Sequence, residues 1–393
     1  MRFPILNLNE FEIVTLKSGV KSLRSLERGE TFHPGIGPLI EANQLHVNQQ
    51  HLVARSEAQA QAKSGEKFVI WDVGLGAAAN VLAAIEALTL PSILPSILPS
   101  ILKEARGGPL NAAPRASTGG ALNAAPRAST GGALNAAPRA STGGALHAVL
   151  AAKSSHEDTR TQIGTQIEIL SFDKTTTPAE FAILHAEELG YISPYKRELS
   201  QLLSEHEVRI SDHIHWKFHL GDFGNLLRTQ RFAAPNAILY DPYSAKGNPE
   251  MWTLDHFQQL YLQTDSRVPC LLTNYTCSTA VRVALILAGF FVGRGCAVHT
   301  KRETTIASNQ LALLDDPLDL KWLERVRNST NAAPLRGALG PGSPGQGARG
   351  KSSSEQGASR SVAPYSISRI SDLDFETLQK SPQFQRIAPG QEC

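Results

Sequence analysis

Acidic residues recur where the apolar segments of this sequence end. Asp72 lies in FVIWDVGLG, and three more acids close or follow later segments: Asp173 after QIEILSF, Asp222 after IHWKFHLG and Asp241 after AILY. In an open α/β sheet the carboxyl ends of parallel strands meet at one edge, where ligands bind. A single carboxylate there is more often a solvated loop residue or a helix cap, so the repetition carries the argument. The pattern predicts a nucleotide-like cofactor on one side and a reacting group on the other.

A glycine-rich turn follows the first of these apolar segments. Within it, Gly74 can adopt a positive φ and Gly76 allows a ligand to approach the backbone. The N-terminus of the helix predicted behind the turn favours polar ligand groups. A dinucleotide-binding turn would prefer a third glycine where Ala78 stands. The turn alone is a weak signal, and it gains weight from the aspartates that follow.

Predicted strands and helices alternate along the chain, which is typical of a doubly wound α/β sheet. Residues 1–60 are predicted to hold a small β-structure, the loop GETFHPGIGP and a helix over 39–53. Residues 68–90 combine a strand, the glycine turn and a helix. The remaining strands are predicted over 166–173, 214–220, 236–241, 269–276 and 290–308, and the remaining helices over 177–189, 195–206, 253–263 and 279–288.

Low-complexity sequence interrupts the chain in two places. Residues 91–145 contain three copies of PSIL and then three copies of LNAAPRASTGGA. The second unit has one leucine beside alanine, proline and Gly-Gly, so it cannot bury an apolar face, and we predict a flexible insertion rather than a solenoid. A Pro/Arg linker that touches RNA is the alternative. Residues 328–393 are predicted to be a mostly disordered tail with a short docked helix within 366–384.

Bulk composition indicates a globular protein without a membrane segment. The chain has 393 residues, a hydrophobic content of 41% and a formal net charge of +2. The four cysteines form no CxxC pair and no zinc-like spacing, which predicts a reducing, cytoplasmic location and no metal. We find no signal-peptide pattern and no apolar run near the roughly 20 residues of a membrane helix. Positive charge is concentrated in residues 91–145 and 328–393; the acidic remainder weighs against an RNA substrate.

The motifs resemble those of class I S-adenosyl-L-methionine (SAM) methyltransferases in their order and in their residues. Within that class the sequence is similar to the MnmC-like methyltransferase domains, which methylate 5-aminomethyl-uridine at the wobble position of bacterial tRNA. The similarity rests on ETFH, DVGLGAAAN, ILSFD, HLGD, DPYSAKGNPEMWT and TNYTCSTAVRVALILAGFFVGRG with KRETTIA after it. It covers roughly residues 20–90 and 160–308. It implies a Rossmann-like sheet with helices on both faces, in a methyltransferase domain of residues 61–90 and 146–310 behind a pocket-covering N-terminal extension.

The resemblance assigns several residues to the cofactor, SAM. Asp72, Gly74 and Gly76 would hold its methionine part. Asp173 would bind the ribose, and its carboxylate suits that role although glutamate is common at this position. Asp222 would meet the adenine end.

On the acceptor side, the resemblance places Asp241 beside the group to be methylated. An amine acceptor must attack as the neutral nitrogen, and a carboxylate beside it can hold the amine and take up its proton as the N–C bond forms. Tyr243 and Trp252 are candidates to wall the pocket or to stack on a base, with ordinary packing as the alternative for Trp252. Glu30 and His33 lie in a loop that can cover the pocket and complete the candidate substrate-binding residues.

Other features leave the methyl acceptor open. The sequence after residue 310 is too short and unpatterned for the flavin oxidase domain of the bifunctional enzyme, and DPYSA stands where DGFAP is usual. The alternatives to tRNA are a small molecule or a protein, methylated by a SAM-dependent enzyme or modified by an aminopropyltransferase-like one. A non-catalytic binding module is a further alternative, and the intact aspartates argue against it.

Overall fold

A computed structural model describes residues 10–62, 65–89, 165–298, 302–337 and 368–385. The predicted insertion, residues 91–145, lies outside the described residues, as does most of the predicted tail. The strands are β1 (Phe11–Thr15), β2 (Lys21–Ser25), β3 (Glu30–Thr31), β4 (Phe68–Val73), β5 (Ile167–Asp173), β6 (Glu207–Arg209), β7 (Ile214–Leu220), β8 (Ala237–Tyr240), β9 (Leu271–Asn274), β10 (Phe291–Gly295) and β11 (Thr304–Ser308).

The helices lie between these strands and after them. They are α1 (Pro38–Ala42), a π-helix (Asn43–Asn48), α2 (Leu52–Gln61), α3 (Ala79–Thr89), α4 (Thr177–Leu184), α5 (Ala186–Leu189), α6 (Lys196–Glu205), α7 (Phe223–Thr229), α8 (Leu254–Tyr261), α9 (Thr279–Ala288), α10 (Leu320–Asn328) and α11 (Asp372–Gln379). None of the helices in the described stretches is both long and apolar enough to span a membrane.

The main sheet has eight strands in the order β10-β11-β9-β8-β4-β5-β7-β6. The central strands, from β9 to β7, pair in parallel, while β6, β10 and β11 add antiparallel pairs at the two sides. Because β4 pairs with β5 on one side and β8 on the other, the chain reverses its winding direction at β4. This confirms the predicted Rossmann-like, doubly wound sheet, and β4 marks the point where such sheets bind ligands.

Strand β4 shows how the sequence builds a core on both faces of this sheet. Successive side chains of a strand point to opposite faces: Phe68 and Ile70 pack into one apolar cluster, and Val69, Trp71 and Val73 into the other. Helices α1 to α6 cover the first cluster, and α7 to α11 the second. A strand that is buried at every position is typical of a parallel strand covered on both faces.

Two predicted helices prove to be interrupted. The helix predicted over 39–53 consists of α1, the π-helix and the start of α2, with a break at His51, whose φ of 48° is left-handed. The helix predicted over 177–189 breaks at His185, which separates α4 from α5. By contrast, α8 begins where predicted, because the Thr253 hydroxyl accepts a hydrogen bond from the His256 backbone N–H at 3.2 Å.

Two stretches of the predicted tail, residues 328–337 and 368–385, are described by the structure, and both pack against the sheet domain. Helix α11 lies inside the predicted docked segment, and Leu378 on it is fully buried. Ala332 is also fully buried, and the Ala333 backbone N–H donates to the Ser368 carbonyl at 3.1 Å. These contacts make residues 328–337 and 368–385 part of the fold.

We expect Leu378→Ala to lower the free energy of unfolding by about 2–5 kcal/mol, because it leaves a cavity in the core. Leu373→Ala is the matched control on the same helix: its side chain is 73% exposed, so the expected change is within about 0.5 kcal/mol. Urea unfolding followed by tryptophan fluorescence measures both. Equal stability of the two variants would show that α11 does not pack against the sheet domain.

Candidate active site

A large cavity opens at the carboxyl edge of the parallel strands. Its volume is about 1020 Å³. The loops after β4, β5, β7, β8 and β9 supply one side of its wall, and the N-terminal segment from Ser25 to Glu41 supplies the other. The order of strands in the sheet sets the order of groups along this edge, which runs from Asp222 through Asp173, Gly74 and Asp241 to Tyr275.

The glycine turn after β4 packs directly against the loop after β8. Gly74 has a φ of 93°, and a Cβ atom there would lie 2.9 Å from the Asp241 carbonyl oxygen and 3.3 Å from Pro242 Cα. The first distance is shorter than any normal contact, and the atoms met are backbone. Position 74 therefore requires glycine both for its conformation and for the approach of the two loops.

The Asp241 carboxylate lies on the cavity wall in a fixed orientation. Its backbone N–H donates to the Val73 carbonyl at 3.0 Å, which continues the ladder between β4 and β8. The side-chain amide of Asn80, in the first turn of α3, donates to Asp241 Oδ2 at 2.8 Å. Two neighbouring elements thus hold the acid that the sequence places at the acceptor side.

Asp173 joins the end of β5 to the glycine turn. Its Oδ2 accepts from the Gly76 backbone N–H at 3.0 Å, and its Oδ1 from the Thr175 N–H at 3.3 Å. Burial raises the pKa of Asp173 although these backbone donors favour its charged form. Asp222 also lines the cavity, and its Oδ1 caps α7 by accepting from the Asn225 N–H at 2.8 Å.

Asp72 does not reach the cavity, so its predicted contact with the methionine part of SAM is not supported. The side chain is buried beneath the turn, where the Ser171 hydroxyl donates to Asp72 Oδ2 at 2.7 Å. Burial raises the pKa of Asp72 to about 8, and the nearby charges of Asp241 and Asp173 add to the shift. The sequence pattern could not reveal this, because a turn fixes the backbone but not the direction of a preceding side chain.

The N-terminal segment closes the cavity over the loop that follows Asp241. Glu30 accepts from the backbone N–H of Ser244 at 3.1 Å and from its hydroxyl at 2.6 Å. Phe32 packs edge-on against Tyr243, with ring centroids 5.4 Å apart. Glu30, His33 and Tyr243 all line the cavity.

Trp252 is the second predicted site residue that lies away from the cavity. It is only 2% exposed, and its Nε1–H donates to the Tyr243 carbonyl at 2.8 Å. Trp252 therefore supports the position of Tyr243, which agrees with the packing alternative.

Two residues of the site were missed by sequence reasoning. Asn80 is the last residue of the DVGLGAAAN motif. Its position in the first turn of the helix that follows the glycine turn could have indicated its role. Glu41 lines the cavity and lies 3.9 Å from His33, measured from Oε2 to Nδ1. An acid in the first turn after GETFHPGIGP was the only indication of Glu41, and sequence alone gives no distance to His33.

The charge of the wall favours positively charged ligands. Acidic side chains outnumber basic ones among the lining residues: Glu10, Glu27, Glu30, Glu41, Asp173, Asp222, Asp241 and Glu250, against Arg28, Lys174 and Lys246. A narrow, acidic cleft raises the local concentration of cations and opposes phosphate. Among the described residues we find no group of three or more histidine, cysteine or acidic side chains arranged to hold a metal ion.

The fold is Rossmann-like, and the cavity lies where the winding of the sheet reverses, which is where sheets of this kind bind ligands. The family model of S-adenosyl-L-methionine-dependent methyltransferases matches residues 191–310, the stretch that supplies Asp222 and Asp241. The match indicates that residues 191–310 belong to a SAM-dependent methyltransferase domain, whose cofactor is SAM. No curated protein matches the sequence significantly.

The chain resembles solved structures to different degrees. The chain is similar to MnmC2 from Aquifex aeolicus, with 20% identity, a TM-score of 0.50 and coverage of 83% of this chain and 78% of that chain. A probable spermidine synthase from Corynebacterium glutamicum matches at 9% identity and a TM-score of 0.38, over 85% and 95% of the two chains. Magnesium protoporphyrin IX methyltransferase from Synechocystis, with bound SAH, matches at 8% identity and a TM-score of 0.28, over 67% and 83%. At these identities the likeness concerns the fold.

We expect Gly74→Ala to weaken binding of S-adenosylhomocysteine (SAH) at least about tenfold, because the added methyl group pushes the loop of Asp241 away from the turn. Gly190→Ala is the matched control: it has a φ of 75° but open space around the added atom. The control should lose only about 1 kcal/mol of stability and keep its affinity. Calorimetric titration with SAH decides, and normal binding by Gly74→Ala would contradict the packing described above.

Asp72 should also make stability depend on pH. Its folded-state pKa of about 8 lies above the ordinary 3.8, so the folded protein holds this proton longer than the unfolded chain, and the stability from this group falls as pH rises between those values. Asp72→Asn removes this dependence. As the pH rises from about 5 to about 8, the free energy of unfolding of the variant should increase by at least about 1 kcal/mol relative to that of the wild type, as measured by urea unfolding. Asp212→Asn, at an exposed position, should follow the wild type; if Asp72→Asn also does so, Asp72 is not buried as described.

Proposed function

We propose that this enzyme transfers the methyl group of SAM to an amine nitrogen, and that the amine is the aminomethyl group of a modified wobble uridine in tRNA. The observation that carries the proposal is the Asp241 carboxylate, which lies on an acidic cavity wall and is oriented by Asn80 at 2.8 Å. The motif similarity to MnmC-like domains supports tRNA as the source of the amine.

The residues along the cavity edge fit the parts of SAM. When bound, SAM supplies an electrophilic methyl group on a positively charged sulfur. Gly74 and Gly76 would hold its methionine part through their backbone: a Cβ atom at position 74 would meet backbone atoms of the Asp241 loop, and one at position 76 would lie 3.2 Å from the Phe32 ring. Asp173 would bind the ribose and Asp222 the adenine end, in the order in which the strands present them. The acidic wall suits the positive charge of the donor.

Asp241 would act on the acceptor. An amine attacks only through its lone pair, so a protonated amine must lose a proton first, and a carboxylate in contact with it can take that proton. Asn80 keeps the carboxylate in one orientation, which aligns the acceptor nitrogen with the methyl carbon. Tyr243, positioned by Phe32 and Trp252, offers an aromatic surface against which a base can stack.

The charge of the cavity bears on how a nucleic acid would bind. Phosphate groups would be repelled by the acidic wall, so the proposed tRNA would insert only the modified base and keep its backbone outside. The acidic wall does not repel an uncharged base ring, and it attracts a cationic aminomethyl arm. The same argument favours a free small-molecule amine as the second candidate acceptor.

Methyl transfer to bulk tRNA tests the proposal. The purified protein is incubated with labelled SAM and tRNA from cells that lack the wobble-uridine methyl group, and the nucleosides are then analysed by mass. A methylated aminomethyl-uridine is the expected product. If small amines are labelled and tRNA is not, the second candidate is correct. If an aminopropyl group is transferred instead of a methyl group, the reaction type is wrong.

Asp241→Asn should lower methyl transfer about 100-fold or more, because it removes the base but keeps the size of the side chain. Its SAH affinity should stay within about twofold of the wild type, since Asp241 faces the acceptor. Asp212→Asn serves as an exposed control and should change neither quantity. Single-turnover assays and calorimetry measure the two effects. Undiminished transfer by Asp241→Asn would remove Asp241 from the mechanism.

A further inference from the structure

His33 lies between two carboxylates at the acceptor end of the cavity. Its Nε2 is 3.7 Å from Asp241 Oδ2, and its Nδ1 is 3.9 Å from Glu41 Oε2. The His33 and Glu41 side chains are each 13% exposed, and the Asp241 side chain 17%. Opposite nitrogens of one imidazole thus face two acids that are largely shielded from water.

The backbone holds this arrangement in place. His33 has a φ of 46°, in the left-handed region that costs energy for a residue other than glycine. Glu41 is anchored through its other oxygen, Oε1, which accepts from the backbone N–H groups of Gly35 at 2.6 Å and Ile36 at 2.9 Å. This leaves Oε2 as the Glu41 oxygen on the His33 side.

We propose that His33 and Glu41 carry the acceptor's proton away from Asp241. The inference rests on the amine acceptor proposed above. The N–H bond of the protonated amine breaks and its proton passes to the Asp241 carboxylate. Asp241 then gives this proton to His33 Nε2, and His33 releases the proton on Nδ1 to Glu41. The neutral amine forms its bond to the methyl carbon while the bond from that carbon to sulfur breaks and leaves its electron pair on sulfur.

The relay would offset the difference in proton affinity between the base, Asp241, and the amine acceptor. In their ordinary states a carboxyl group has a pKa near 4 and an alkylammonium a pKa near 10, so the proton returns from Asp241 to the amine unless it is carried away from the acceptor. An imidazole that can pass the proton on keeps Asp241 ready as a base, and imidazole is the side chain best suited to transfer in both directions near neutral pH. Distances slightly beyond hydrogen-bond length are common in ligand-free sites and shorten on binding.

The remaining groups around His33 do not compete for this proton. His46, on the π-helix behind it, is fully buried, and burial lowers its pKa to about 3, so it is neutral. Its Nδ1 pairs with the Thr273 hydroxyl at 2.8 Å. Asn80 contacts Asp241 with an amide, which does not titrate. Glu41, Asp241 and His46 are therefore the titratable groups that face His33 among the described elements packed around it.

Chemical rescue tests the relay. His33→Gly suits the left-handed backbone and leaves space for an imidazole molecule. We expect methyl transfer to fall about 10- to 100-fold and to recover with added imidazole in a saturable manner, while SAH affinity is unchanged. His206→Gly is the matched control, because His206 is exposed and has a φ of 63°. Its activity should match the wild type with or without imidazole.

Two further variants separate the roles. His33→Asn tolerates the left-handed backbone but cannot relay a proton, so it should show the same loss without rescue. Glu41→Gln should lower kcat with KM unchanged, and imidazole should not restore it. Full activity of His33→Gly, loss without rescue, or loss of SAH binding in both His33 variants would overturn the relay. Absence of transfer to any amine by the wild-type enzyme would instead overturn the proposed function, and the relay with it.

Discussion

The active site depends on how closely two neighbouring strands approach each other at their carboxyl ends. Strands β4 and β8 pair in parallel. The Asp241 carbonyl oxygen lies only 2.9 Å from the position that a Cβ atom of residue 74 would take. The turn that receives the cofactor and the loop that carries the acid are thus in backbone contact. Asn80 adds a second link, from α3 to the Asp241 carboxylate. Donor and acceptor sides are therefore set by one packing interaction and cannot shift independently.

The N-terminal segment completes the site from the opposite side. Glu30 holds Ser244, Phe32 packs on Tyr243, and the edge of the Phe32 ring lies 3.2 Å from where a Cβ of Gly76 would be. One short stretch of chain thus contacts both the glycine turn and the acceptor loop. This arrangement shields the cavity from water, which strengthens the charge interactions within it. The acidic wall favours cations, as the sulfonium of SAM and the proposed amine acceptor would require.

The acidic residues at the strand ends were predictable from the sequence, whereas the directions of individual side chains were not. The repeated aspartates, the glycine turn and the apolar run of β4 follow local rules, so the sheet was predicted, and eight of the ten predicted site residues line the cavity. Asp72 and Trp252 were misplaced, because sequence spacing does not show which side of a turn or loop a side chain takes. Asn80 and Glu41 were missed for the related reason that their importance lies in contacts with Asp241 and His33, which are distant in the chain. The helix break at His51 depends on a left-handed backbone conformation, which the presence of a histidine in the sequence does not predict.

In the proposed site, SAM binds along the carboxyl edge of β7, β5 and β4 with its reactive end towards Asp241. A crystal structure of the protein with SAH tests this most directly. We predict the ribose hydroxyls at the Asp173 carboxylate, the adenine near Asp222, and the sulfur on the side of the glycine turn that faces Asp241. SAH bound with its sulfur directed away from Asp241, or bound outside this cavity, would contradict the account.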